Sequence, residues 1–318
     1  MLLVTIDDAP GGSAGARLAS GEILHLGRAA ETGTVEAWLP PSVAGILSGG
    51  KEGLAVAERL AARHEQMAQA PLSAKRGKGA LLPPDTRLLA PIPAPSMILA
   101  AGLAYRSHLA EMAGTPTPTH PTAFLKVPSS ISAPGATVTL PAQAPDQVDY
   151  EGELAIVIGR DCHAVDAATA MDCIAGYTIA NDLSARDWVK AVWAAEKPWQ
   201  ARQTWEVNIM GKQLPGFTAL GPAIATVERI NDPTSLRLIT RLNGEVMQDA
   251  FVSDMIFPIG EIIAYFSRWY RFRPGDVLLT GTPAGVGVGR KPPIFLRSGD
   301  RVDVQIDRIG TLTTHIAR

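Results

Sequence analysis

The sequence predicts a mixed α+β fold that is mainly β. Short runs rich in Val, Ile and Leu, bounded by Gly, Pro or Asp, recur along the chain and are typical of strands. Segments with helical periodicity are fewer. Hydrophobic residues make up 46% of the 318 residues and charged residues 19%, which is typical of a packed globular protein. The length fits one large domain, or a large domain with a small partner.

The composition also narrows the classes of function. The chain has 29 Lys+Arg against 31 Asp+Glu, a formal net charge of −2, which argues against nucleic-acid or membrane-surface binding driven by charge. Cys162 and Cys173 are too few for a disulfide framework or a four-cysteine zinc site, and we expect buried, inert thiols. No run reaches the ~18 apolar residues of a membrane span. The N-terminus lacks signal-peptide features, so we expect a cytoplasmic protein.

The first part of the chain predicts a small N-terminal α/β domain over residues 1–70. Strands are expected at Leu2–Ile6 and near Ile23–Leu26, and a helix at Lys51–Gln69. Residues 71–95 are rich in proline, which fixes φ and lacks an N–H donor, so this segment is predicted to be an extended linker.

Residues 96–318 form the predicted main domain. Asp166 is expected to cap a helix that runs to Ile174, and a second helix is expected at Ile256–Arg268. The proline-rich stretch 116–145 is a candidate functional loop or lid. The predicted strands are Met97–Ala101, Thr122–Lys126, Thr137–Leu140, Leu154–Ile158, Tyr177–Ala180, Leu236–Leu242, Val277–Gly281 and Arg301–Ile306.

Carboxylates stand at the ends of two predicted strands. Glu151 and Glu153 precede the apolar run Leu154–Ile158, and their spacing puts both side chains on one face of a strand. Asp182 follows another apolar strand and would supply a third carboxylate. Three such groups suit a hard cation, Mg²⁺ or Mn²⁺. The structural alternatives are a solvated strand edge for the two glutamates and an ordinary turn or cap for Asp182.

Two further patterns carry chemical groups. His108 and Glu111 lie three residues apart, which makes them neighbours on a helix and a candidate general base, although a surface pair explains the same spacing. The glycine-rich run 281–289 lacks the Gly-Lys-Ser/Thr of a phosphate loop. Its glycines are better suited to a close approach of the backbone to a ligand, where Thr282 offers a hydroxyl.

Together these residues resemble the fumarylacetoacetate hydrolase superfamily over roughly Ser96 to Ile316. The resemblance depends on several motifs in the same order along the chain. The motifs are Gly102-Leu-Ala-Tyr105-x-x-His108, Phe124-x-Lys126, Asp149-Tyr-Glu151-x-Glu153-Leu, Gly176-Tyr-Thr-x-x-Asn-Asp182-x-Ser-Ala-Arg-Asp187, Lys212 ahead of Leu220-Gly-Pro222, and Gly275-Asp276 leading to Gly281-Thr-Pro-x-Gly-Val-Gly287.

The resemblance implies a β-sandwich roll, a homodimer and a divalent metal held by Glu151, Glu153 and Asp182. It implies that Lys212 stabilises an oxyanion or enolate, and that His108 and Glu111 activate water from a short lid helix. The implied substrate contacts are Tyr105, Lys126, Arg186 and Thr282, the last of them with a substrate carboxylate.

These roles predict a hydrolase that cleaves a C–C bond in acylpyruvate-like or 2,4-diketo acids. Mg²⁺ or Mn²⁺ would polarise the 2-oxoacid, His108 would deprotonate a water, and the leaving enolate would be stabilised by the metal and Lys212. The alternative on the same scaffold is a 2-oxoacid decarboxylase, dehydratase/hydratase or isomerase. A non-catalytic metal- or ligand-binding protein is a third hypothesis, from a different class.

The chain departs from the family pattern where the substrate is contacted. Ala104 stands where many members have Asn, and Val189 where many have Gln. Four tryptophans, Trp188, Trp193, Trp199 and Trp205, follow the Arg-Asp pair; they would line a larger apolar pocket or form a dimer contact or satellite core. These departures leave the metal ligands intact and concern the substrate.

Overall fold

The computed structural model describes residues 1–31, 39–68, 79–112, 114–187, 189–201 and 210–318. The strands are β1 Leu2–Ile6, β2 Ser13–Arg17, β3 Ile23–His25, β4 Leu81–Leu82, β5 Leu88–Leu89, β6 Ile98–Gly102, β7 Thr122–Lys126, β8 Ile131–Ser132, β9 Thr137–Thr139, β10 Val148–Asp149, β11 Gly152–Ile158, β12 Ile174–Asp182, β13 Ser184–Ala185, β14 Thr218–Thr226, β15 Arg237–Leu242, β16 Glu245–Phe251, β17 Val277–Leu279, β18 Arg301–Ile306 and β19 Gly310–Ala317. The helices are α1 Leu26–Glu31, α2 Val43–Ser48, α3 Gly50–Ala68, α4 Arg106–Glu111, α5 Ala167–Ala170, α6 Val189–Trp193 and α7 Ile259–Ser267.

Two sheets dominate the described fold, which confirms the predicted mixed, mainly β class. The large sheet has the strand order β4-β3-β2-β1-β14-β12-β11-β17-β6-β7, with β5 paired to β1 and β8 to β14. The second sheet has the order β16-β15-β18-β19-β9, and β10 and β13 form a two-stranded ribbon. Strands β11, β12 and β14 of the large sheet contact β15, β18 and β19 of the second.

The central strand β11 is buried on both faces because a different layer covers each one. Leu154, Ile156 and Ile158 join the core shared with the second sheet. Ala155 and Val157 point to the opposite face and join the core under the N-terminal helices. This placement explains why the strand is apolar at every position, whereas a strand with one exposed face would alternate apolar and polar residues. The acidic residues at the start of β11 therefore lie next to the buried core.

The N-terminal residues share the large sheet with the main domain. β1 pairs antiparallel with β14, and β4 and β5, within the predicted linker, pair with β3 and β1. The described part of the proline-rich segment is therefore partly in the sheet, although proline content predicted an extended linker. Residues 71–78 lie outside the described residues.

Several predicted elements are confirmed, and others differ at their ends. β1, β7 and β18 have the predicted bounds. Asp166 caps α5 by accepting a hydrogen bond from the Thr169 N–H at 2.9 Å, although that helix is short and a 3-10 turn follows it. α7 begins at Ile259 and not at Ile256, because Pro258 has the extended ψ of 148°. Both cysteines are buried and free, as expected.

No helix in the described ranges is long and apolar enough to cross a membrane.

Candidate active site

Three acidic side chains meet where β11 begins and β12 ends. Glu151 stands just before β11, Glu153 is its second residue, and Asp182 is the last residue of β12. The two strands pair with Gly152 opposite Asn181, which places the carboxylates at one edge. One oxygen from each carboxylate lies within 4.8 Å of the others, and all three residues are buried. The sequence pattern thus predicted a real cluster, not a solvated strand edge.

Cationic side chains surround two of the three carboxylates. The Lys212 ammonium lies 2.6 Å from Glu151 Oε2 and 2.8 Å from Asp182 Oδ2. Arg186 forms ion pairs with Glu151 and, at 3.1 Å, with Asp149 Oδ2. Among the described residues Glu153 makes no salt bridge; its Oε2 accepts a hydrogen bond from the Gly281 N–H at 2.8 Å.

This asymmetry separates the two glutamates electrostatically. Burial disfavours the charged form of Glu151, but Lys212 and Arg186 outweigh it and lower the pKa of Glu151 to about 2. Burial, followed by the charges of Asp182 and Glu151, raises the pKa of Glu153 well above its ordinary value. A divalent cation would remove this repulsion, and an all-oxygen donor set is the one that Mg²⁺ and Mn²⁺ prefer. The residues present therefore fit such an ion.

The helix α4 holds the candidate base over the cavity. His108 Nδ1 lies 3.2 Å from Glu111 Oε2, and Glu111 Oε1 accepts a hydrogen bond from the Gly285 N–H at 3.0 Å. The helix is fixed at its first turn, where the Ser107 N–H donates to Asp254 Oδ2 at 3.0 Å. Because Nδ1 is held by Glu111, the other ring nitrogen, Nε2, is left for a ligand. The surface-pair alternative for His108 is not supported, since the residue is 8% exposed.

The glycine-rich segment binds carboxylates of the protein itself. Besides the contacts of Gly281 and Gly285, the N–H groups of Gly287 and Val288 donate to the two Asp149 oxygens at 2.7 and 3.0 Å. A Cβ at Gly289 would lie 2.3 Å from Glu111 Cδ, so a side chain there would displace the carboxyl group. The segment therefore holds the carboxylates of the site in place through its backbone N–H groups. This role does not require the Gly-Lys-Ser/Thr of a phosphate loop, which the segment lacks.

These groups enclose a cavity of about 310 Å³. The predicted site residues that line it are His108, Glu151, Glu153, Asp182, Arg186, Lys212 and Thr282. Leu103, Met112, Phe124, Val189 and Val192 contribute apolar wall. Of the tryptophan-rich stretch, Trp199 is 58% exposed. Trp188, Trp205 and the side chain of Trp193 lie outside what the structure describes.

Two predicted substrate contacts do not line the cavity. The Lys126 side chain is fully buried, forms an ion pair with Asp182 and donates to the Lys212 carbonyl at 2.7 Å, so it supports a candidate metal ligand from behind. Tyr105 is 1% exposed, at the N-terminal end of α4. Direct substrate contact by either is not supported by these positions, because neither side chain has a surface in the cavity.

Two residues that sequence reasoning passed over support the site. Asp149, within a quoted motif, joins Arg186 to the glycine-rich segment. Gln248, on β16 in the second sheet, contacts both the acidic strand and Thr282. Gln248 carries no sequence signal because its partners Gly152 and Thr282 lie 96 and 34 residues away along the chain.

A sequence model described as fumarylacetoacetate (FAA) hydrolase C-terminal matches residues 97–317. The chain belongs to the fumarylacetoacetate hydrolase family. This confirms the resemblance drawn from the ordered motifs, and the matched range includes every candidate site residue.

Similar proteins in this family carry several activities in their names. Oxaloacetate tautomerase FAHD2A, mitochondrial, from Homo sapiens is 37% identical over 278 residues, which are 87% of this chain and 80% of the relative. The fumarylacetoacetate hydrolase from Exiguobacterium antarcticum superposes with a TM-score of 0.76 at 31% identity, covering 100% of both chains. Maleylpyruvate hydrolase from Sphingobium sp. SYK-6, solved with manganese(II) and pyruvate, gives 0.72 at 28% identity, covering 100% and 99%. The chain is thus a family enzyme whose reaction these names leave open.

Proposed function

We propose that the protein is a divalent-metal-dependent tautomerase that interconverts the keto and enol forms of a 2-oxoacid of the oxaloacetate class. One observation carries the proposal: a buried imidazole held by a carboxylate faces a cavity that also contains three clustered carboxylates and a lysine. A base at one side of a cavity and a centre for an oxyanion at the other are what proton transfer next to a carbonyl needs. The similarity to oxaloacetate tautomerase supports it.

Glu151, Glu153 and Asp182 would hold Mg²⁺ or Mn²⁺. When bound, the ion supplies Lewis-acid stabilisation of negative charge on the 2-oxygen. The similar maleylpyruvate hydrolase with manganese(II) is consistent with such an ion.

The protein's own groups move the proton. Tautomerisation takes a proton from C3 and places one on the C2 oxygen, while the C=O double bond becomes C=C, so no co-reactant is consumed. His108 Nε2 accepts the C3 proton, the C2 oxygen takes a proton from water, and the imidazolium returns its proton to water, so the base is regenerated. Glu111 keeps the ring oriented through Nδ1. Lys212 places positive charge beside the developing enolate.

Hydrolytic cleavage of an acylpyruvate-like C–C bond is the second candidate. The same His108–Glu111 pair would activate a water in place of taking the C3 proton. The similarity to maleylpyruvate hydrolase favours it. Decarboxylation and dehydration need no activated water and are separated from both by their products. The homodimer and the cytoplasmic location stay predictions.

The test follows the ultraviolet absorbance of enol-oxaloacetate with protein stripped by EDTA and then reloaded with Mg²⁺ or Mn²⁺. We expect metal-dependent loss of enol without release of pyruvate or CO₂ above the buffer rate. His108→Ala should abolish the acceleration, whereas the control His64→Ala should keep it, because His64 lies on α3 and bonds the Leu60 carbonyl. Metal-loaded protein that accelerates nothing would refute the tautomerase. Release of acetate and pyruvate from acetylpyruvate would establish the hydrolase.

A further inference from the structure

The helix α4, which carries His108, is too short to be stable without contacts from elsewhere in the chain. It comprises six residues, Arg106–Glu111, which make fewer than two turns. Isolated helices of this length do not persist in water. Tyr105 occupies the N-cap position, and its side chain makes no capping hydrogen bond. The position of His108 therefore depends on the segments that contact α4.

Asp254 supplies the missing cap from a distant segment. It is the last residue of the 3-10 turn Val252–Asp254, which follows β16. Its Oδ2 accepts a hydrogen bond from the Ser107 N–H at 3.0 Å. Ser107 is the second residue of α4, so this N–H has no acceptor within the helix. A carboxylate at this end of a helix also interacts favourably with the helix dipole, so Asp254 acts on α4 as an N-cap residue does.

Arg106 joins the same two segments in the opposite direction. Its Nη1 donates to the carbonyl oxygens of Asp254 and Met255 at 3.2 and 2.5 Å. The backbone adds a further hydrogen bond, from the Ile256 N–H to the Ala104 carbonyl at 2.7 Å. Each segment therefore donates to the other and accepts from it. The start of α4 and the turn after β16 are connected by these reciprocal bonds.

These contacts act on the cavity through the backbone of α4. His108 lines the cavity, whereas Asp254 and Arg106 do not. Arg106 is exposed and Asp254 is half-buried, and both hold the first turn of the helix, one residue before the imidazole. A change at Asp254 should therefore alter the placement of His108 and leave the three candidate metal ligands in place.

We propose that Asp254 is a positioning residue for the candidate base, which caps α4 from outside the helix and, together with Arg106, keeps His108 over the cavity. The effect on turnover rests on the proposed function, because His108 is the base in that reaction. The effect on the order of α4 does not, because it follows from the hydrogen bonds alone.

Hydrogen–deuterium exchange of the amides of residues 105–112 in the full-length protein measures the order of α4 independently of any reaction. Asp254→Ala should increase their exchange rates roughly 2- to 30-fold, as expected when a helix cap is removed. Asp254→Asn keeps an acceptor oxygen and should restore wild-type exchange. The matched control is Asp166→Ala, which removes the carboxylate that caps α5 at the Thr169 N–H and should leave the exchange of α4 unchanged.

Turnover and metal binding distinguish a positioning role from a general loss of stability. With Mg²⁺ and enol-oxaloacetate, Asp254→Ala should lower kcat roughly 3-fold, and the Arg106→Met/Asp254→Ala double variant roughly 10-fold or more. Calorimetric Mg²⁺ affinity should stay within about 2-fold in both, because the metal ligands do not contact α4's cap. Asp254→Asn should recover kcat, and Asp166→Ala should keep it. Thermal melts identify a double variant that fails to fold, in which case Asp254→Ala and Asp254→Asn still decide.

Three results would overturn the proposal: unchanged exchange of α4 in Asp254→Ala, equally increased exchange of α4 in Asp166→Ala, or a loss of Mg²⁺ affinity in Asp254→Ala as large as the loss of kcat. Faster exchange with unchanged kcat in the folded double variant would also overturn it. Failure of the proposed function gives a different result. Wild-type protein without tautomerase activity would refute the tautomerase, while the exchange of α4 would still decide whether Asp254 caps the helix.

Discussion

Glu151 and Glu153 provide a matched pair for testing the electrostatics of the site without metal. In EDTA, Glu153→Gln should stabilise the protein, whereas Glu151→Gln should destabilise it. The two residues are of the same type, two positions apart and both buried. They differ in their partners, because Glu151 is paired with Lys212 and Arg186, and Glu153 makes no salt bridge among the described residues.

The magnitudes follow from charge and burial. Two unit charges 4.8 Å apart repel by about 3.5 kcal/mol at an effective dielectric constant of about 20, and the carboxylate oxygens lie within that distance, so this sets the scale of the gain from neutralising Glu153 against one neighbour. We expect a gain of about 1–3 kcal/mol in the free energy of unfolding, since glutamine keeps an oxygen for the Gly281 N–H. For Glu151, the fall in pKa from 4.5 to about 2 corresponds to a loss of about 3 kcal/mol.

The pH dependence has opposite signs at the two positions. The folded-state pKa of Glu153 is raised, so its contribution to stability is fully present below its unfolded pKa of about 4.5 and is lost as pH rises through the folded value. The folded-state pKa of Glu151 is lowered, so its contribution is present above 4.5 and is lost as pH falls toward about 2. The benefit of Glu153→Gln should therefore be larger at pH 8 than at pH 5.

Urea unfolding in EDTA at these two pH values measures both variants against the wild type. Adding Mg²⁺ should make the wild type more stable than Glu153→Gln, because an ion that binds the folded wild type stabilises it by mass action. Loss of stability in Glu153→Gln at pH 8 without metal, or shifts of the same sign in both variants, would refute this assignment of charges.

Three other changes test the surroundings of the site. Glu111→Gln should lower kcat because the amide orients the His108 ring less strongly, while calorimetric Mg²⁺ affinity stays within about 2-fold; equal loss of both would contradict the assigned role. Gly289→Ala should lower kcat in the same way, since its Cβ would meet Glu111 Cδ at 2.3 Å, and wild-type turnover would show that the contact is unimportant. Lys126→Met should weaken Mg²⁺ binding and lower the unfolding free energy by about 3–5 kcal/mol, because Asp182 loses a buried partner; an unchanged urea midpoint would contradict this.

Local sequence patterns predicted the elements whose secondary structure depends on their own residues and not on long-range contacts. The strand Thr122–Lys126 and the cap at Asp166 needed no long-range information. β14 was not predicted because Gly221 and Pro222 interrupt its apolar pattern. In the structure this strand is held by pairing with β12 and β1 on either side, with an irregularity in the register. Pairing of that kind overrides local propensity and cannot be read from a short window.

The candidate site was predictable to the extent that its residues belong to contiguous motifs. Glu151 and Glu153 lie two residues apart at the start of β11, and His108 and Glu111 lie three residues apart on α4. Gln248 reaches the site from a different sheet, and its hydrogen bonds with Gly152 and Thr282 join three segments distant in sequence. For Lys126 the motif correctly predicts a position near the site. Only the packing shows that its ammonium pairs with Asp182 and does not line the cavity.

The charges at the base of the site explain why a metal and an anionic substrate belong together. The buried groups there are Asp149, Glu151, Glu153, Asp182, Lys126, Arg186 and Lys212. Four carboxylates face three cations there, and the raised pKa of Glu153 moves the set toward charge balance, in which the base would offer an anion no net attraction. A divalent ion that displaces the proton of Glu153 leaves a net positive charge beside Lys212, so its affinity increases with pH until Glu153 is ionised. Under the proposed function we therefore expect the metal to bind first and the anion to be attracted to the charge that the metal adds.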